Sequence, residues 1–189
     1  MVRERINKLI ERLKDDKFLN NVGTGNETPF YMFTYQIEDD AVVTTAVNST
    51  IAQNLRNSVI NVLTINLLAE VVELCQQLGI YEPILEMQES GATNKELLDA
   101  LEGELNPTKF VHYLSAKYKF SEYQVVLIYA IGSVHPIFAA SSLISNFQSQ
   151  IVHVPVVFFY PGEYDQTGMM LFGKLQRENY YRAFLMNLE

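Results

Sequence analysis

The chain is poor in the residues that would narrow its chemistry at once. It has 189 residues and a single cysteine, Cys75, so an intrachain disulfide and a cysteine-rich zinc site are both excluded. No run of about 18 apolar residues occurs, which argues against a membrane span. The first residues, Met-Val-Arg-Glu-Arg-Ile, are charged and lead into no apolar stretch, so no secretory signal is expected. Positive charge is also scarce: 14 bases stand against 22 acids, a net charge of -8. Affinity for DNA rests largely on Lys and Arg neutralising phosphates, so no direct nucleic-acid partner is expected. Attraction to anionic lipid is disfavoured for the same reason. What is present is a globular composition, with 48% hydrophobic and 19% charged residues. At this length the expectation is one domain over residues 1–189, in the cytoplasm.

The charge is unevenly spread. Residues 1–20 hold six bases and four acids, with Ile6, Leu9, Ile10 and Leu13 at helical spacing. This predicts an amphipathic helix whose charged face is either solvated or a docking surface. Residues 82–104 hold seven acids and one base, Lys95. They predict two short helices broken near Gly91, with Thr93 or Asn94 as the cap of the second. Their outer face is solvated or faces a partner.

Strands are predicted over 30–35, 59–65, 124–130 and 154–160, with a last one within 181–186. Nearly continuous apolar runs such as Val125–Ala130 suit strands buried on both faces. Helices are predicted over 39–57, 66–79, 81–90, 93–103, 107–119 and 136–149. The alternation predicts an α/β fold: a three-layer sandwich around a mixed, mostly parallel sheet of about five strands, with a helical excursion at 80–120.

Ligands of open α/β sheets bind beyond the carboxyl ends of the strands. Two segments fall there. Gly132-Ser133-Val134-His135-Pro136 follows the strongest strand, and Pro136 suits a first helical turn. Gly132 and Ser133 are therefore candidates for an anion or nucleotide site, although no P-loop glycine pattern or Lys-Ser/Thr pair follows. The second segment is Tyr160-Pro161-Gly162-Glu163-Tyr164-Asp165, whose two carboxylates stand two residues apart. They suit a metal or acid–base chemistry, or an ordinary hydrogen-bonded turn. Gly23-Thr24-Gly25-Asn26-Glu27 precedes a strand, the wrong side for a phosphate cradle, and reads as a loop. Cys75 falls on an apolar helix face with Leu68, Val71 and Val72 and is expected to be buried and inert. Arg182 is expected to pair with Asp165 or Glu27.

Four stretches together resemble one family, BrxB, a small core component of BREX bacteriophage-exclusion systems. They are Gly25-Asn26-Glu27 with Pro29-Phe30 and Phe33-x-Tyr35; Gly132-Ser133-Val134 with Pro136, Leu143 and Asn146; Phe159 to Asp165; and Leu171-Phe172-Gly173 with Asn179 to Phe184. The resemblance covers nearly the whole chain. There are departures. Ala139 and Ser141 stand where the family usually has an Arg and a His, His135 where an aromatic residue is common, and Gln166 where a Gly often follows Tyr-Asp. The first two disfavour a polar site on that helix and suit a scaffold.

The resemblance implies an accessory subunit in antiviral defence with no catalysis of its own. It also implies an association with PglZ, an alkaline-phosphatase-superfamily member of the same systems. No cofactor is expected, and self-association is open. Three readings follow. The first is a non-enzymatic interaction module with Glu27, Asp165, Arg182, Tyr164 and Asn179 as a polar cluster or docking surface. An exposed apolar patch at Phe30, Tyr164 or Tyr180 would favour it. The second is a nucleotide- or anion-binding regulator using the Gly132–Pro136 turn. The third is a metal-dependent nuclease or phosphoesterase using Glu27, Glu163 and Asp165.

Overall fold

A computed structural model describes residues 1–21, 29–180 and 182–188. Five strands form the main sheet in the order β2 (Val62–Asn66), β3 (Val125–Tyr129), β4 (Val156–Tyr164), β1 (Phe30–Tyr35), β7 (Phe184–Leu185). Every pairing along that path is parallel. Two strands invisible to the apolar pattern, β5 (Gly168–Leu171) and β6 (Glu178–Asn179), add antiparallel to the end of β4. The sheet is thus mixed and mostly parallel. The last strand is shorter than the apolar run that predicted it.

Side chains alternate across a strand, so each strand feeds two cores. On one face Met32, Ile65, Ile128 and Phe158 meet α5 (Leu67–Gln77), α8 (Pro107–Lys117) and α9 (Ala140–Gln148). On the other, Phe33, Leu127, Val157 and Phe159 meet α1 (Val2–Leu13), α2 (Asp16–Leu19), α3 (Asp40–Ala46) and α4 (Ala52–Asn57). The apolar stripe of α1, Ile6, Leu9, Ile10 and Leu13, is wholly buried. Its charged face is not all solvated: Arg5 reaches inward, its Nη1 2.7 Å from the Thr34 carbonyl and its guanidinium over the Phe33 ring. The predicted 39–57 helix is continuous, with a π turn at Val47–Ile51 joining α3 to α4.

The excursion holds α6 (Tyr81–Glu89) and α7 (Asn94–Glu102). Thr93 and Glu96 form a capping box at the start of α7. Gly91 adopts a φ of 86° between the helices, a backbone shape that glycine tolerates without penalty. Neither helix has a buried residue.

The base of the excursion is clamped. Glu70 of α5, 7% exposed, accepts from Lys117 Nζ at 2.8 Å and from the Tyr118 hydroxyl at 2.6 Å. Lys117 also reaches Glu73 at 2.6 Å. Burial pulls the Lys117 ammonium down, but the bonds to Glu70 and Glu73 outweigh it and hold it above the ordinary lysine value. Burial and then the bond to Glu70 push the Tyr118 phenol up to about 12. A buried carboxylate stripped of its cation keeps its desolvation penalty. Lys117→Met is therefore expected to lower the unfolding free energy by about 2 kcal/mol in urea titrations. Glu73→Gln, at an exposed partner, should cost much less.

Candidate functional site at the carboxyl ends of the strands

The chain leaves β1 toward helices on one face and leaves β3 toward helices on the other. A crevice opens between such diverging loops in α/β proteins. Here β4 occupies it. Its pairing with β3 ends at Phe158 and with β1 at Pro161, yet the strand runs on to Tyr164. It then returns as β5, with Gly162 opposite Leu171 and Tyr164 opposite Met169.

Asp165 sits at the tip of that hairpin. Its Oδ1 accepts from the Thr167 N–H at 3.0 Å, the Thr167 hydroxyl at 2.7 Å and the Gly168 N–H at 3.1 Å. Arg177 Nη2 lies 2.6 Å from both carboxylate oxygens. The Arg177 bond, then the Thr167 and Gly168 donors, hold the Asp165 carboxyl well below the usual range. The guanidinium on Asp165 is that of Arg177, while Glu27, the other carboxylate expected for Arg182, lies outside the described residues. A signal for this turn was present: Asp-x-Thr-Gly is the pattern of an Asx turn, whose side-chain oxygen closes onto the following N–H groups. Nothing marked Arg177 itself, because the return of β6 beside β5 brings it to the tip. Arg177 also passes over Gly168, where a β-carbon would stand 2.7 Å from its Nε.

The other expected members of the cluster that are described make contacts of their own. Arg182 is exposed, and its carbonyl accepts from Gln148 Nε2 at 3.0 Å. Asn179 pairs with Gly168 in the β5–β6 ladder, its side chain exposed. Tyr164 is buried and donates its hydroxyl to the Ala183 carbonyl at 2.6 Å. Its ring lies 6.3 Å from that of Tyr180, whose hydroxyl accepts from Gln148 Nε2 at 3.1 Å. These contacts fasten the final segment to the body. Phe30, Tyr164 and Tyr180 are all buried, so the apolar patch that would favour the interaction module is absent at those residues. They fill the core instead. Glu27 and the 23–27 loop lie outside the described residues.

The Gly132–Pro136 turn differs from expectation as well. Gly132–Val134 forms a 3-10 turn, with Ser133 N–H donating to Ala130 at 3.2 Å and His135 N–H to Gly132 at 3.3 Å. Pro136 does not open the helix: α9 starts at Ala140. The residue before a proline avoids the helical region, and His135 is extended, with ψ at 138°. Gly132 is pressed under Phe172, where a β-carbon would meet the ring at 2.7 Å. The first turn of α9 already holds a carboxylate of the chain. Glu178 accepts from the Ser141 N–H at 2.9 Å and from the Ser141 hydroxyl. Thus Ser141, one of the departures from the family pattern, is a capping partner. Beneath it the Tyr160 hydroxyl is buried with no hydrogen-bond partner, and burial, then the Glu178 charge, raise its pKa.

Glu163 is exposed, one residue out of phase with the buried Tyr164. Among the described residues no three His, Cys, Asp or Glu stand together as a metal site, and no helix is long and apolar enough to cross a membrane. Cys75 is buried with Val71 as expected, and burial raises its thiol pKa, while Leu68 faces solvent.

Fold and site together define a small α/β protein whose strand ends are covered, among the described residues, by its own β4–β5 hairpin and the segment that follows it. The family described as BREX protein BrxB matches residues 63–186. A BREX protein BrxB of Bacillus cereus (strain H3081.97) is 26% identical over 187 residues, covering 97% of this chain and 96% of that protein. Another, of Escherichia coli O9:H4 (strain HS), is 25% identical over 180 residues, covering 95% and 88% respectively. No solved structure matches significantly. The chain belongs to the BrxB family and is a component of a BREX system.

Two outcomes are expected at the hairpin tip. Folded Asp165 binds a proton more weakly than the unfolded residue, so its ionised contacts contribute fully above the unfolded value of about 3.9. They are lost as the pH falls below it. The stability advantage of the wild type over Asp165→Asn should be constant near neutrality and shrink below about pH 4, as read by urea unfolding across pH. Gln166, where the family pattern has Gly, sits at a φ of 67°. Gln166→Gly should therefore raise the unfolding free energy by about 0.5–1 kcal/mol, a strain that glycine does not feel.

Proposed function

We propose that the protein is a non-enzymatic accessory subunit of its BREX antiviral complex, acting by protein–protein contact with a PglZ-type partner. One observation supports this reading beyond family membership: among the described residues, the place where an α/β enzyme keeps its crevice is occupied by the protein's own side chains. Phe172 covers Gly132, Glu178 occupies the first turn of α9, and β4 with β5 fills the gap between the diverging loops. Asp165, Arg177, Ser141 and Glu178 there serve hydrogen bonds within the fold. A net charge of -8 supports a link to DNA through another protein rather than a direct grip.

Co-expression with the PglZ-type protein of the same system, followed by size-exclusion chromatography with light scattering, tests the reading. Co-elution at a fixed stoichiometry is expected. Elution as two separate species would remove the partner from the proposal.

A further inference from the structure

We propose that the free edge of β2 pairs with the β2 edge of a second copy of this chain, antiparallel about a two-fold axis. This contact is separate from the one with a PglZ-type partner.

The main sheet ends in β7 on one side and in β2 on the other. An unpaired strand edge offers its N–H and C=O groups to any other strand, and most proteins block it. The β7 side is blocked. That strand has only two residues, Phe184 and Leu185, and beyond them Arg5 caps the Thr34 carbonyl of β1 at 2.7 Å. The β2 side has no such guard. Among the described residues, β3 is its only strand neighbour, and no side chain bonds to its backbone. No charged residue and no proline stands between Arg56 and Glu70, so the usual devices that repel a second strand are missing as well.

Both ends of this edge hold an apolar side chain in water. Val59, just before β2, is 89% exposed, and Leu68, just after it, is 42% exposed. Val59 is also an unfavourable residue for its place. The end of α4 is a Schellman motif, with Ile60 N–H donating to the Leu55 carbonyl at 3.0 Å and Val59 N–H to the Arg56 carbonyl at 2.9 Å. The motif favours glycine at position 59, yet valine stands there at a φ of 60°. A β-branched residue is strained in that left-handed shape. Nothing within one copy offsets the strain, because the side chain meets water. A strained residue held at a free sheet edge points to a contact made only on pairing.

The edge selects an extended strand, because only a strand matches the spacing of its backbone groups. Symmetry selects a second copy. Antiparallel pairing about a two-fold axis lays the start of one β2 beside the end of the other. Val59 of one copy then shares an end of the pair with Leu68 of the other, and the same contact recurs at the opposite end. The neutral stretch lets two chains of net charge -8 meet with no like charges directly opposed.

The test follows the mass of the full chain by light scattering across a micromolar dilution series, with amide hydrogen exchange of β2 read at both ends of the series. The variants are V59G, L68K and V59G/L68K. The control is L78K, which alters a leucine of similar exposure, 44%, at the far end of α5. The wild type is expected to dimerise, with exchange over Val62–Asn66 slowing as concentration rises. V59G relieves the strained φ, so by circular dichroism it should melt no lower than the wild type while dimerising at least tenfold more weakly. A purely structural role for Val59 would not split those two readouts. V59G/L68K should be monomeric throughout, and L78K should change dimerisation less than twofold.

A wild type that is monomeric across the series overturns the second copy. If β2 then gains protection only on addition of the PglZ-type protein, the edge belongs to a strand of that protein instead. A dimer whose β2 amides exchange as fast as those of the monomer overturns the edge, as does one that L78K weakens as much as V59G/L68K.

Discussion

Strand β4 is packed on both faces and paired on both edges. Val156, Phe158 and Tyr160 point to the layer of α5, α8 and α9, and Val157 and Phe159 to the layer of α1 to α4. None of these five side chains is measurably exposed. Each large apolar side chain buried in this way contributes about 1.5–3 kcal/mol, so the strand anchors both cores at once. A parallel strand needs helices on both sides to bury it, and that requirement sets the three layers. The same strand then outruns its parallel neighbours. Its last residues lack partners on that path, and β5 supplies them by folding back. The closed strand ends follow from this overshoot.

Closure changes what the polar residues do. Asp165 looks like a reactive carboxylate in the sequence, but its oxygens close a turn and hold Arg177. Glu178 serves the first turn of α9, where an incoming anion would otherwise dock. Tyr164 and Tyr180 lock the last segment against the body. Groups committed to such bonds are poorly placed for proton transfer, because each reaction step would also break a structural contact.

The charge asymmetry of the chain has a structural counterpart. The clamp of Glu70, Lys117 and Glu73 ties α5 to α8, the two helices between which the excursion emerges. The acidic helices therefore project from a fixed base. The basic N-terminal helix is drawn the other way, with its apolar stripe buried and Arg5 bonded to β1. One end of the chain uses its charges partly inside the fold. The excursion leaves most of its charges in water.

The sequence by itself determined the elements whose signal is local. Nearly continuous apolar runs marked β3 and β4, aromatic and β-branched runs marked β1 and β2, helical spacing marked α1, and Thr93 or Asn94 marked the start of α7. These followed because burial on both faces, a 3.6-residue period and a capping side chain each leave a pattern within a few residues. The layers and the mostly parallel sheet were legible for the same reason, and the four family motifs pointed to BrxB. Tertiary structure alone decided the partners. Arg177 rather than Arg182 reaches Asp165, because β6 lays it beside the hairpin. Ser141 gains a carboxylate from a residue 37 positions away. Pro136 stays outside α9, and Phe30, Tyr164 and Tyr180 are buried. Short strands such as β5 and β6 have too few residues to show a period, and pairing between distant segments depends on chain geometry that no local pattern records.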